Sequence, residues 1–121
     1  MRSSDSGPGR KAQHVDPHRL AEERSLAYHR LIAERLADDP AILERARVRV
    51  AERLRPTSPP WYGLQWAAHL DEGLPSLQRL LRDSGAHATE LRQSTPFAGA
   101  IDARERWRVW REVAERLQDS R

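Results

Sequence analysis

The chain has 121 residues, with 21 Lys and Arg against 18 Asp and Glu and a formal net charge of +3. That length suits one domain with a single modest core, and the absence of cysteine excludes a disulfide framework, a zinc–thiolate centre and a thiol nucleophile. No apolar run approaches membrane-spanning length, and the Ser/Gly/Pro-rich start lacks the apolar segment of a secretory signal, so a cytoplasmic protein is expected. Lys11 is the only lysine. The arginines that carry the basic charge are interspersed with acids, which permits contact with DNA or RNA without pointing to it.

Ala, Leu, Arg and Glu dominate, while β-branched and aromatic residues are few. This favours helices over sheets. Residues 1–15 are rich in Ser, Gly and charge without an apolar period and predict a disordered tail, ahead of a single helical domain over 16–121. Asp16-Pro17 is a helix start, a capping carboxylate followed by proline at the first helical position. The helix runs to about Asp38, with Leu20, Ala27, Tyr28, Leu31, Ile32 and Leu36 on one broad side. Asp39-Pro40 repeats the signal and opens a second helix to about Arg55, with Ile42, Leu43, Ala46, Val50 and Leu54 inward. So short a link implies a helical hairpin or corner. Pro56 to Pro60 is a connector. A short aromatic helix from Trp61 closes near Gly73, and another begins at Leu74-Pro75. Asp83-Ser84-Gly85 interrupts it, and Ala86 to Gln93 adds one or two helical turns. A turn at Pro96-Phe97-Ala98-Gly99 then leads to the last helix. No stretch alternates with period two, so the fold class is all-α: a compact bundle of about four to six helices.

The last helix has the clearest signature. Asp102 is its N-cap, and Glu105 three residues on is placed to reach back, as in a capping box. Trp107, Trp110, Val113, Ala114 and Leu117 recur at helical spacing, with Arg104, Arg108, Arg111, Glu112 and Glu115 opposite. Burying both indoles predicts a core of Leu20, Leu31, Ile42, Val50, Leu54, Trp66, Leu80, Leu81, Trp107, Trp110 and Leu117. The sharper reading leaves Trp61, Tyr62 and Trp110 partly exposed as anchors for a partner.

Candidate chemistry is sparse. Arg24 and His29, with four residues between them, resemble the arginine–histidine motif of HEPN ribonucleases. There the histidine would act on the ribose hydroxyl or leaving group, and the arginine would hold phosphate. Against this stands a solvent-facing His29 on a charged helix. His14 and His18 flank Pro17, and His69, Asp71 and Glu72 sit at a helix C-terminus where a histidine is favoured by the dipole, so no metal is expected. Ser94 and Thr95 would be nucleophiles only with a base nearby, and the sequence indicates none; their ordinary use is capping. The glycines form no phosphate-cradling loop. Neither a catalytic residue nor a cofactor is therefore assigned.

The runs Ser25-Leu26-Ala27-Tyr28-His29-Arg30, Ile32-Ala33-Glu34-Arg35-Leu36 and Asp39-Pro40 resemble a small all-helical bacterial family associated with toxin–antitoxin-like gene pairs. So do Leu91-Arg92-Gln93-Ser94-Thr95-Pro96-Phe97-Ala98-Gly99, Arg106-Trp107 and Trp110-Arg111-Glu112. The resemblance covers most of residues 20 to 113 and brings no catalytic motif. It implies an antitoxin-type module that covers a partner protein, such as a toxin encoded nearby, although no DNA-binding domain precedes the shared region. The expected docking surface is Arg92, Gln93, Ser94, Thr95 and Phe97 with Arg104, Arg108 and Arg111, a polar loop held by a rigid helix. Two alternatives compete with it. One is a nucleic-acid-binding regulator using Arg45, Arg49 and Arg53 on the basic second helix; the other is the HEPN-like ribonuclease. The oligomeric state is left open.

Overall fold

Both Asp-Pro pairs start helices in the computed structural model, which describes residues 15–119. Asp16 accepts the His18 N–H at 3.0 Å and Asp39 accepts the Ala41 N–H at 3.2 Å, so each capping carboxylate satisfies a first-turn donor. Helix α1 spans Pro17–Arg35, α2 Pro40–Arg53, α3 Trp61–Asp71, α4 Leu74–Arg82, α5 Ala86–Arg92 and α6 Ala103–Asp119. Among the described residues there is no strand, and no helix is long and apolar enough to cross a membrane. The expected tail lies, but for Val15, outside the described residues, and His14 lies there with it.

Helix α1 is the centre of the packing. It rests against α4, α5 and α6, while α2 packs on α3. The Leu36–Asp39 link is a corner, and α1 and α2 do not pack along their lengths. At Gly63 on α3 a Cβ would stand 3.4 Å from Cβ of Arg53 and 3.6 Å from a Leu54 methyl, ordinary packing distances between α2 and α3. One core runs through Tyr28, Ile32, Leu36, Ile42, Val50, Trp66, Leu77, Leu81, Leu91, Phe97 and Ile101.

The core differs from the expected one in informative places. Ile42, Val50, Trp66, Leu81 and Leu117 are buried as expected, but Leu20, Leu31, Leu54, Leu80 and Trp110 are only half-buried. Trp107 is 61 % exposed. Helical rotation explains this. At 3.6 residues per turn, Trp107 points roughly 90° away from the mean direction of Trp110, Val113 and Leu117. That angle puts it nearer the arginines than the apolar stripe.

The cap of α6 is half a capping box. Asp102 accepts the Glu105 N–H at 2.9 Å, but the Glu105 carboxylate meets the Arg35 guanidinium of α1 instead of reaching back. A local cap is thereby traded for a tie between α6 and α1.

Candidate functional site

The polar run and turn after α5 form the hub of the fold. Tyr28 on α1 donates its hydroxyl to the Phe97 carbonyl at 2.8 Å. On α2, Arg53 donates to the carbonyls of Ser94 and Thr95 at 2.6 and 3.1 Å, and Arg49 donates to those of Pro96 and Ala98. Trp66 on α3 donates its indole N–H to the Leu91 carbonyl at 3.2 Å. Buried carbonyls need such donors once water is excluded. Gly99 takes φ +79°, a left-handed turn that suits glycine. The loop's backbone is therefore fixed by α1 and α2, and the end of α5 that leads into it is fixed by α3.

His29 provides another tie to the same loop. Its Nδ1 lies 2.7 Å from the Ser25 carbonyl, and its Nε2 lies 2.7 Å from the Thr95 hydroxyl. A carbonyl only accepts, so Nδ1 carries the proton, Nε2 accepts and Thr95 donates. Thr95 Oγ1 in turn accepts the Phe97 N–H at 3.1 Å. The imidazole is 2 % exposed. Burial, with a smaller push from Arg92, holds its pKa at about 4 against the backbone bond to Ser25, which acts to raise it. His29 is thus not the solvent-facing residue of the bland expectation; it is a neutral bridge between α1 and the loop.

The fold supplies what the sequence did not show, a base beside Thr95. A hydroxyl, an imidazole and a carbonyl in line have the order of a nucleophile, its base and the group orienting that base. This imidazole is nevertheless poorly suited to take up a proton, because burial and the neighbouring guanidinium both disfavour its charged form. The arrangement ties α1 to the loop through side chains.

Arg24 and His29 line one cavity of about 370 Å³ between α1, the loop and α6. Tyr28, Arg92, Thr95, Gly99, Arg106 and Trp110 share it. Trp110 meets the Tyr28 ring edge-on with centroids 5.9 Å apart, and Arg24 Nε donates to the Trp110 carbonyl at a long 3.4 Å. Sequence reasoning missed Arg106 as a lining residue, although a signal was present. Arg106, Trp110, Val113 and Leu117 fall at i, i+4, i+7 and i+11, one helical stripe. Arg106 is the exposed, charged head of the stripe that turns inward at Trp110.

The expected docking strip is divided by the structure. Arg92 and Phe97 are buried, at 5 % and 1 % exposure, and this corrects their placement on an accessible surface. Arg92 donates to the Asp83 carbonyl at 2.6 Å and to Thr89 Oγ1 at 3.2 Å, which draws its long side chain under the surface. Phe97 stands edge-on to Trp66 in the core. Ser94 and Thr95 are half-buried, while Gln93, Arg104, Arg108 and Arg111 are exposed. Arg104, Trp107, Arg108 and Arg111 follow i, i+3, i+4, i+7 spacing and form one outer stripe on α6.

Of the arginines proposed for nucleic acid, Arg49 and Arg53 are drawn onto loop carbonyls. Arg45 remains exposed in a shallow depression shared with Glu44 and Glu52. Trp61 is 48 % exposed and Tyr62 half-buried, with the Arg53 guanidinium 5.7 Å from the Tyr62 ring centre. His18 pairs with Glu22 at 3.3 Å, and His69 lies 3.6 Å from Glu72 and near the His87 ring. Among the described residues, no group of three or more His, Asp or Glu is placed to hold a metal ion. Comparison with protein-family models, with curated proteins and with solved structures gave no match.

Proposed function

We propose that this chain is a non-catalytic, antitoxin-like protein-binding module of the cytoplasm that neutralises or regulates a partner protein by stoichiometric docking. The observation that carries the proposal is Trp107, an indole 61 % exposed in a stripe with Arg104, Arg108 and Arg111. Leaving so large an apolar side chain in water forgoes the stabilisation its burial would bring. Tryptophan and arginine are also the residues most enriched at binding hot spots. A helix tied to α1 through Arg35 and Glu105 presents them with little ordering left to do on association. The three guanidinium groups favour a partner with an acidic patch, which speeds encounter and sets orientation.

Docking of this kind would silence a partner by covering it. The test begins with capture of the tagged chain from its native cell and identification of its partner, followed by reconstitution of the two purified proteins. A one-to-one complex is expected, with the partner's activity suppressed as the complex forms. Trp107→Ala should weaken it by tenfold or more, on the order of one hot-spot residue, with the helical circular dichroism unchanged. A partner bound equally well by Trp107→Ala and by an Arg104→Glu/Arg108→Glu double variant would overturn this assignment of the surface.

A further inference from the structure

On the flank of α6 opposite Trp107, the cavity beneath Trp110 has a composition of its own. Arg24, Arg92 and Arg106 line it, and no carboxylate does. His29 contributes no charge, since burial keeps it neutral. Arg92 is buried, and although its terminal nitrogens have partners, its Nε is a buried donor without one. The Arg106 side chain has no hydrogen bond or ion pair among the described residues. Guanidinium groups around a partly enclosed space with no carboxylate in its wall leave that space positively charged. An anion in the cavity offsets that charge.

We infer that this cavity is a binding site for a small phosphate monoester carrying a planar ring. Guanidinium groups match phosphate oxygens in charge and in fork geometry. A phosphate monoester is close to a dianion at neutral pH, so it suits three arginines better than a single carboxylate would. The indole of Trp110 and the ring of Tyr28 supply an apolar wall for the rest of the molecule. A volume of about 370 Å³ is at the small end of ligand pockets, which fits a nucleoside monophosphate or an aryl phosphate. The Thr95 hydroxyl at its edge is engaged with His29 and the Phe97 N–H, and binding requires no transfer to it.

Calorimetric titration of the full chain with phenyl phosphate and with AMP tests this. Phenol and adenosine serve as controls lacking the phosphate. One saturable site is expected for each phosphate, and none for the controls. Arg106→Ala, which removes no internal hydrogen bond or ion pair, should weaken binding about tenfold, roughly the loss of one charge-assisted hydrogen bond. Arg104→Ala, on the outer stripe, should leave it unchanged. Binding should weaken between pH 7.5 and 5, where the ligand loses its second charge. In spectra of arginine-labelled protein, the Nε–H signal of Arg92 should shift on saturation. Lack of saturation by either phosphate would overturn the inference, as would equal losses in Arg104→Ala and Arg106→Ala. A phosphotyrosine peptide binding more than tenfold tighter than phenyl phosphate would overturn the small-molecule assignment. None of these outcomes bears on docking at Trp107, which uses the other flank.

Discussion

Trp107 and Trp110 are three residues apart on one helix, yet one indole stands in water while the other walls a cavity. The inner flank of α6 continues from Trp110 into Val113 and Leu117, both buried against the rest of the fold. The outer flank holds Trp107 with Arg104, Arg108 and Arg111, all exposed. The difference shows that side-chain type alone does not assign a residue to the core. A rotation of about one sixth of a turn separates an indole that helps hold the fold together from one free to meet another molecule.

Four measurements would sharpen or break that division. The largest effect should lie beneath the inner flank, at His29. Its folded pKa of about 4 is below the ordinary 6.5, so the folded chain binds fewer protons than the unfolded one. The stabilisation is complete above pH 6.5 and lost as pH falls from 6.5 towards 4, by about 3 kcal/mol. Urea titrations across that window should show the decline, and His29→Gln, whose amide can also donate and accept, should flatten it. Equal slopes in both proteins would mean that His29 is not the buried neutral bridge described here.

Leu117→Ala on the inner flank should cost about 2 to 3 kcal/mol in chemical denaturation, the range for a buried leucine lost near a helix end. Arg53→Met keeps an apolar stem but removes the guanidinium over Tyr62 and leaves the Ser94 and Thr95 carbonyls without their donor. It should cost about 1 to 2 kcal/mol and speed amide exchange in residues 94–99. Trp107→Ala should change stability by less than about 0.5 kcal/mol, as for an exposed position without structural partners. A loss there as large as that of Leu117→Ala would erase the distinction between the flanks.

The regular structure is largely legible in the sequence because its signals are local. Asp16-Pro17 and Asp39-Pro40 fix helix starts by chemistry confined to three residues. Pro56 to Pro60, Gly73 and the Pro96–Gly99 turn punctuate the chain for equally local reasons. Even Asp102 caps as its spacing predicts, and only its reciprocal partner Glu105 was drawn away, by Arg35 on a distant helix. The loop Arg92–Gly99 was harder to read. Its polar side chains suggested an accessible surface, but its carbonyls are met by donors from α1 and α2.

Residue types and their periodicity thus determined that the chain is helical, where its helices begin, and which of them are amphipathic. Tertiary structure alone decided that His29 is buried, that Arg92 and Phe97 turn inward, and that Arg24, Arg92 and Arg106 surround one cavity. The reason is range. A cap or a turn is an energy between neighbours in sequence, whereas the state of His29 depends on Thr95, sixty-six residues away, which only the packed chain brings within reach.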